Sequence, residues 1–201
     1  MRATLVGVVA AVALVVAFPA AAAHPKSCPS AWAAGWQKLA NTIQAPVYCP
    51  TWMPNPLDAK IGGQYIDIDS VNKDRSYLIS FLEHGDEGSG DVHVNFRGYP
   101  GRTTIPRCTT VVLTGKKAIR GTTPCFADKA GTQTANGITA SVYRVNQDAD
   151  QWHILLAWHY RHSLYTVSEH VIAPYRFSTQ VRHNLQRLLD SLVLVRPTAA
   201  R

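Results

Sequence analysis

Apolar residues recur at every second position along most of this chain, and two stretches carry the longer helical period. Trp32, Trp36, Leu39 and Ile43 fall at helical spacing, which predicts an α-helix from a cap at Ser30 to about Ile43 with one buried side. Gly35 weakens it by about 1 kcal/mol relative to alanine. It should end before Pro46, because proline disfavours helical geometry in the preceding residue. A second helix is predicted from a cap at Ser178 to about Leu192. There Val181, Leu185, Leu188, Leu189 and Leu192 form an apolar stripe, and Arg182, His183, Gln186, Arg187 and Asp190 face water. Pro46, Pro50, Pro54 and Pro56 exclude regular helix just after the first one, so this segment reads as an extended loop.

Period-two alternation predicts strands over 64–69, 76–82 and 91–97; in the last, Val92, Val94 and Phe96 point inward and His93, Asn95 and Arg97 outward. Residues 83–90, rich in glycine and charge, read as a hairpin loop, and Gly98-Tyr99-Pro100-Gly101 as a turn. Strands are also expected over 109–113, 118–123, 138–145, 151–160 and 164–171, with the polar stretch Pro124 to Gly137 as a loop. The hairpin of 152–160 with 164–171 is specified down to its register. Apolar must oppose apolar, since a one-residue slip turns every side chain over. Trp158 therefore faces Tyr165, Leu156 faces Val167 and His153 faces His170. Glu169 is left as a misfit opposite Ile154, at a sheet edge or beside an arginine.

One strongly apolar sheet face and two helices with one apolar stripe each imply an α+β fold. The expected arrangement is a mostly antiparallel, curved sheet of six to eight strands with both helices packed on one face. No repeat or linker divides the chain, so residues 24–201 read as a single domain.

The first 23 residues change the picture. Arg2 precedes an uncharged apolar run from Leu5 to Phe18; Pro19 ends it, and Ala21-Ala22-Ala23 offers a signal-peptidase site before His24. That run is shorter than the roughly 20 residues needed to cross a bilayer. Export by a cleaved signal peptide is the reading, with an uncleaved N-terminal anchor as the alternative. A lipid anchor does not fit, because Pro25-Lys26-Ser27 precedes the first cysteine.

All four cysteines follow the signal, and an even number in an exported chain argues for two disulfides. With a turn at Thr114-Gly115-Lys116-Lys117, Cys108 and Cys125 are equidistant from the point between Lys116 and Lys117, so they should face each other across a hairpin. Cys28 and Cys49 are left to pair around the first helix. Each bridge is worth roughly 3 kcal/mol in the chain-entropy view. No C-x-x-C spacing suggests zinc.

The whole chain carries a formal charge of +7, and loss of Arg2 with the signal leaves +6. The basic residues are scattered, which favours a role in solubility, with attraction to an anionic cell-envelope surface as the alternative; nothing points to nucleic acid.

The proline-rich segment Val47 to Pro54, the late hairpin carrying Leu155-Leu156-Ala157-Trp158 and Leu164-Tyr165-Thr166-Val167, and the terminal Leu188-Leu189-Asp190-Ser191-Leu192 resemble a group of small bacterial extracytoplasmic domains of secreted or lipoprotein type. These are similar in shape to the lipoprotein-sorting carriers. The resemblance covers about 100 residues and implies a half-barrel sheet with helices in its concavity. It implies no enzymatic activity and assigns no functional residue.

Candidate chemistry is sparse. His153 opposite His170 is a weak candidate for a metal pair, with His159 the nearest further imidazole on that face; the competing reading is two exposed histidines, and a site needs three or four ligands. The 83–90 loop lacks the oxygen spacing of a calcium loop. No G-x-S-x-G, H-E-x-x-H or phosphate loop is present, Ser89 has no strand leading into it, and Asp67 and Asp69 read as a solvated edge, so no catalytic residue and no cofactor is assigned. Trp32, Trp36, Trp52, Trp152 and Trp158 are ordinary core residues or line a cavity for an apolar ligand. The leading expectation is an exported, non-enzymatic binding or interaction domain. A carrier of a lipid-like ligand and a secreted hydrolase are the alternatives.

Overall fold

The structure is a computed structural model that describes residues 27–57, 71–82, 92–147, 150–171 and 178–198, and the backbone of 65–66. The expected signal segment 1–23, the loop 83–90, Asp67 and Asp69 lie outside the described residues.

The elements are α1 (Ser30–Ile43), β1 (Val47–Pro50), β2 (Tyr65–Ile66), β3 (Tyr77–Leu82), β4 (His93–Tyr99), β5 (Arg107–Thr114), β6 (Lys117–Pro124), β7 (Phe126–Ala135), β8 (Ile138–Asn146), β9 (His153–Tyr160), β10 (Ser163–His170), α2 (Ser178–Ser191) and β11 (Leu192–Val195). The fold is mostly antiparallel sheet with two helices. The main sheet has seven strands in the order β2-β3-β4-β10-β9-β8-β7, and β1-β11 and β5-β6 form two-stranded ladders. The β9–β10 register is the one derived from the alternation: Trp158 faces Tyr165, Leu156 faces Val167, and His153 faces His170.

The helices form where the apolar stripes lie. Trp32, Trp36, Leu39, Ala40 and Ile43 of α1 are buried, as are Val181, Leu185, Leu188 and Leu189 of α2. These residues share one core with Ile79, Phe81, Val94, Phe96, Ile154, Leu156, Trp158, Tyr165 and Val167. Trp32 meets the edge of Phe81 with ring centroids 5.4 Å apart. Trp36 Nε1 donates to the Tyr48 carbonyl at 3.0 Å, which ties α1 to β1. Ser30 is not the cap expected of it: Pro29 occupies that position, without a side-chain hydrogen bond, and Ser30 is the first helical residue.

Three further expectations are corrected. The proline-rich segment is not all loop, because Val47–Pro50 forms β1 and pairs with β11 at the far end of the chain. The polar stretch Pro124–Gly137 contains β7, the edge strand of the main sheet. Its alternation is hidden by an irregularity between Lys129 and Thr132, with Gly131 at φ 129°. Its turn is Asn136-Gly137, both at positive φ (50° and 72°), the pattern that a two-residue type I′ hairpin turn demands. Glu169 is not at a sheet edge: β10 is central, and the carboxylate is fully buried, accepting from Asn184 Nδ2 at 2.8 Å. Asn184 lies on the buried side of α2 among its leucines.

The sulfurs join Cys28 to Cys49 and Cys108 to Cys125. In the β5–β6 hairpin Cys108 faces Thr123, because Gly115 and Lys116 alone make the turn. Cys125 lies two residues past direct opposition, and the Cα atoms of 108 and 125 are nevertheless 4.8 Å apart.

The face of the sheet opposite the main core is not simply solvated. Phe126, Leu155, Ala157 and Leu164 form a smaller buried cluster there, with Tyr99, Ile105 and Cys108 packed against it.

Candidate metal centre

β4, β10 and β9 are consecutive neighbours in the sheet. His93 opens β4, His153 opens β9 and His170 closes β10. Because both pairings are antiparallel, these three positions come to one end of the sheet. His170 is paired with His153, and it lies one step beyond the Glu169–Val94 pair, alongside His93. Alternation then sends the three side chains to the same face. Ring centroids are 4.5 Å apart for His93 and His153, 4.6 Å for His93 and His170, and 5.1 Å for His153 and His170. One ring nitrogen from each lies within 4.8 Å of the others.

A polar relay stands behind His153. Asp150 accepts from Arg97 Nε at 2.7 Å, Asn95 Nδ2 at 3.0 Å and Ser168 Oγ at 2.6 Å. Asn95 Oδ1 in turn accepts from Ser80 Oγ at 2.7 Å. The ionised carboxylate is an acceptor only, so the Ser168 hydroxyl proton points to Asp150. Ser168 Oγ, 2.8 Å from His153 Nδ1, must then accept from it. That assigns the proton to Nδ1 and leaves the Nε2 lone pair facing His93 Nε2 at 2.7 Å. The His153 backbone is also held, its carbonyl accepting from buried Asn146 Nδ2 at 2.7 Å.

Burial pushes the His153 pKa down to about 2, with His93, His170 and Arg97 adding to the effect. The approach of His153 Nδ1 to Asp150 Oδ1, at 3.9 Å, is therefore not an ion pair. The ring is neutral and Ser168 mediates the contact. A neutral imidazole with a fixed tautomer is the form that ligates a metal.

The donor set fits a transition-metal ion. Imidazole suits zinc, copper, iron and nickel, and a tetrahedral ion bound at about 2.0–2.1 Å separates its nitrogen ligands by roughly 3.3 Å. The nitrogens here bracket that spacing, so small ring rotations bring them to one ion. The described residues supply three protein ligands, one fewer than a tetrahedral ion takes.

His153 is 2% exposed and His170 half-buried, so the expectation of two exposed imidazoles is corrected. The third ring is His93. His159 is exposed instead, with Nε2 2.9 Å from the Thr103 carbonyl. Alternation had placed His93 on the outward face with Asn95 and Arg97. The missing information was that β4 lies beside β10. The tryptophans are divided: Trp32, Trp36 and Trp158 are buried in the main core, Trp52 lies under the Arg187 guanidinium at 4.1 Å, and Trp152 is exposed.

No family model, curated protein or solved structure matches this chain.

Proposed function

We propose that this protein is a binding domain for one transition-metal ion, of the zinc or copper class, held by His93, His153 and His170. The observation that carries the reading is the convergence of three imidazoles from adjacent strands, one of them buried and fixed in tautomer by the Asp150–Ser168 relay. In this reading the helices cover one face of a curved sheet and the metal sits at one end of the other. Imidazole ligands bring no negative charge, and among the described residues Arg97 balances Asp150, so the bound ion keeps its positive charge and favours an anionic exogenous ligand. Two disulfides point to an oxidising, extracytoplasmic compartment. No helix among the described residues is long and apolar enough to cross a membrane.

The test is titration of the purified full chain with Zn²⁺ and Cu²⁺, followed by calorimetry and native mass spectrometry. One equivalent should bind, and His93→Ala, His153→Ala and His170→Ala should each abolish tight binding. Far-ultraviolet circular dichroism reports whether each variant remains folded. Absence of stoichiometric binding, or unchanged binding in folded His170→Ala and His93→Ala, would refute the assignment.

A further inference from the structure

The β5–β6 hairpin is the least buried part of the described chain. Val111, Val112, Leu113 and Ile119 are 55%, 61%, 75% and 56% exposed, and they make up most of the large apolar side chains exposed among the described residues. Cross-strand pairing divides them between two faces. Val112 opposes Ile119 on one, and Leu113 opposes Ala118 beside Val111 and Arg120 on the other. The hairpin is an arm apolar on both sides, and its base is braced by the Cys108–Cys125 bond and by Cys125 N–H donating to the Pro106 carbonyl at 2.8 Å.

Its charge is of one sign. No aspartate or glutamate occurs between Asp91 and Asp128, whereas Arg107, Lys116, Lys117 and Arg120 lie on the arm. Arg107 is folded back on Thr122, donating to its carbonyl at 2.7 Å, and Lys116, Lys117 and Arg120 are exposed.

We propose that this arm docks the protein on an anionic lipid surface. Two features select that occupant. A protein groove would cover one face of the arm and leave aliphatic side chains on the other in water, whereas the headgroup–acyl boundary surrounds both. A second copy would bring like charges together along the strand edges, where lysines oppose pairing. At a bilayer the aliphatic side chains enter the acyl boundary and the lysine stems reach back to anionic headgroups. The site is separate from the three histidines and does not depend on metal.

The test is vesicle co-sedimentation of the full chain with phosphatidylcholine alone and with 3:1 phosphatidylcholine–phosphatidylglycerol, read together with amide hydrogen exchange. Any contribution of residues 1–23 is common to all variants. Each basic residue near an anionic surface strengthens binding by about fivefold, so Lys116→Ser/Lys117→Ser should weaken binding to anionic vesicles roughly 30-fold at low salt. Leu113→Ser/Ile119→Ser should weaken it to a similar degree with the charge unchanged. Anionic vesicles should slow exchange in 107–124. These side chains are exposed, so the fold should survive both changes, and an intact Cys108–Cys125 bond serves as the check. Equal binding by wild type and both variants, unchanged exchange in the arm, or an arm-dependent dimer in sedimentation without vesicles would overturn the proposal.

Discussion

Ser168 Oγ stands 2.6 Å from Asp150 Oδ1 and, facing an acceptor-only group, donates its proton there. That one hydrogen bond determines which nitrogen of His153 carries a proton, and hence which is free to ligate. Ser168→Ala should lower affinity for the ion by about 10- to 100-fold, the range found when a partner that orients a histidine ligand is lost. Competition titration with a chromogenic chelator measures it. Unchanged affinity in a folded variant would show that the relay does not orient the ring.

The Glu169–Asn184 contact joins the central strand to α2 inside the core. Asn184→Ala removes a donor from a fully buried carboxylate, and a lost bond of this kind costs about 1–3 kcal/mol. Urea denaturation should show a lower midpoint with an unchanged slope.

Gly98 lies in β4 opposite Tyr77. A Cβ there would collide with the Tyr77 ring at Cε1 and come within 2.7 Å of the hydroxyl oxygen. Tyr77 is 4% exposed and has little room to move. Gly98→Ala should therefore destabilise by about 1–3 kcal/mol, the usual cost of overpacking, as read by the thermal midpoint. The companion variant Tyr77→Phe, which keeps the ring, should not rescue it.

Burial raises the pKa of Tyr99 and of Tyr165 to about 12, and pushes that of Tyr77 up as well. In the unfolded chain a phenol ionises near pH 10. Above that value the unfolded state holds fewer protons than the folded one, so stability falls as pH rises from about 10 towards 12, and these groups leave it unaffected below about pH 9. Tyr165 Oη also donates to the Pro46 carbonyl at 2.8 Å, a bond that ionisation removes. Urea midpoints at pH 8, 10 and 11 should show a steepening decline, shallower in Tyr165→Phe relative to that variant's own pH 8 value.

Much of the fold was legible because neighbouring residues carry it. Trp32, Trp36, Leu39 and Ile43 declare a helix by spacing alone, and the alternation around Trp158 and Tyr165 permits one register. Where local chemistry interrupts the period, the reading fails. The irregularity near Gly131 concealed β7, and Gly115-Lys116 rather than four residues made the arm's turn.

Local pattern alone determined which residues face a core, where the late hairpin is paired, and that His153 opposes His170. Periodicity records burial, and a tight hairpin leaves no freedom in its partner. Tertiary structure decided the rest. His93 is 60 positions from His153, and no short-range signal says that β4 settles beside β10. Alternation reports the side to which a residue points but is silent on which distant strand lies alongside. The third imidazole and the Asp150–Ser168 relay exist only once β4, β10 and β9 have paired.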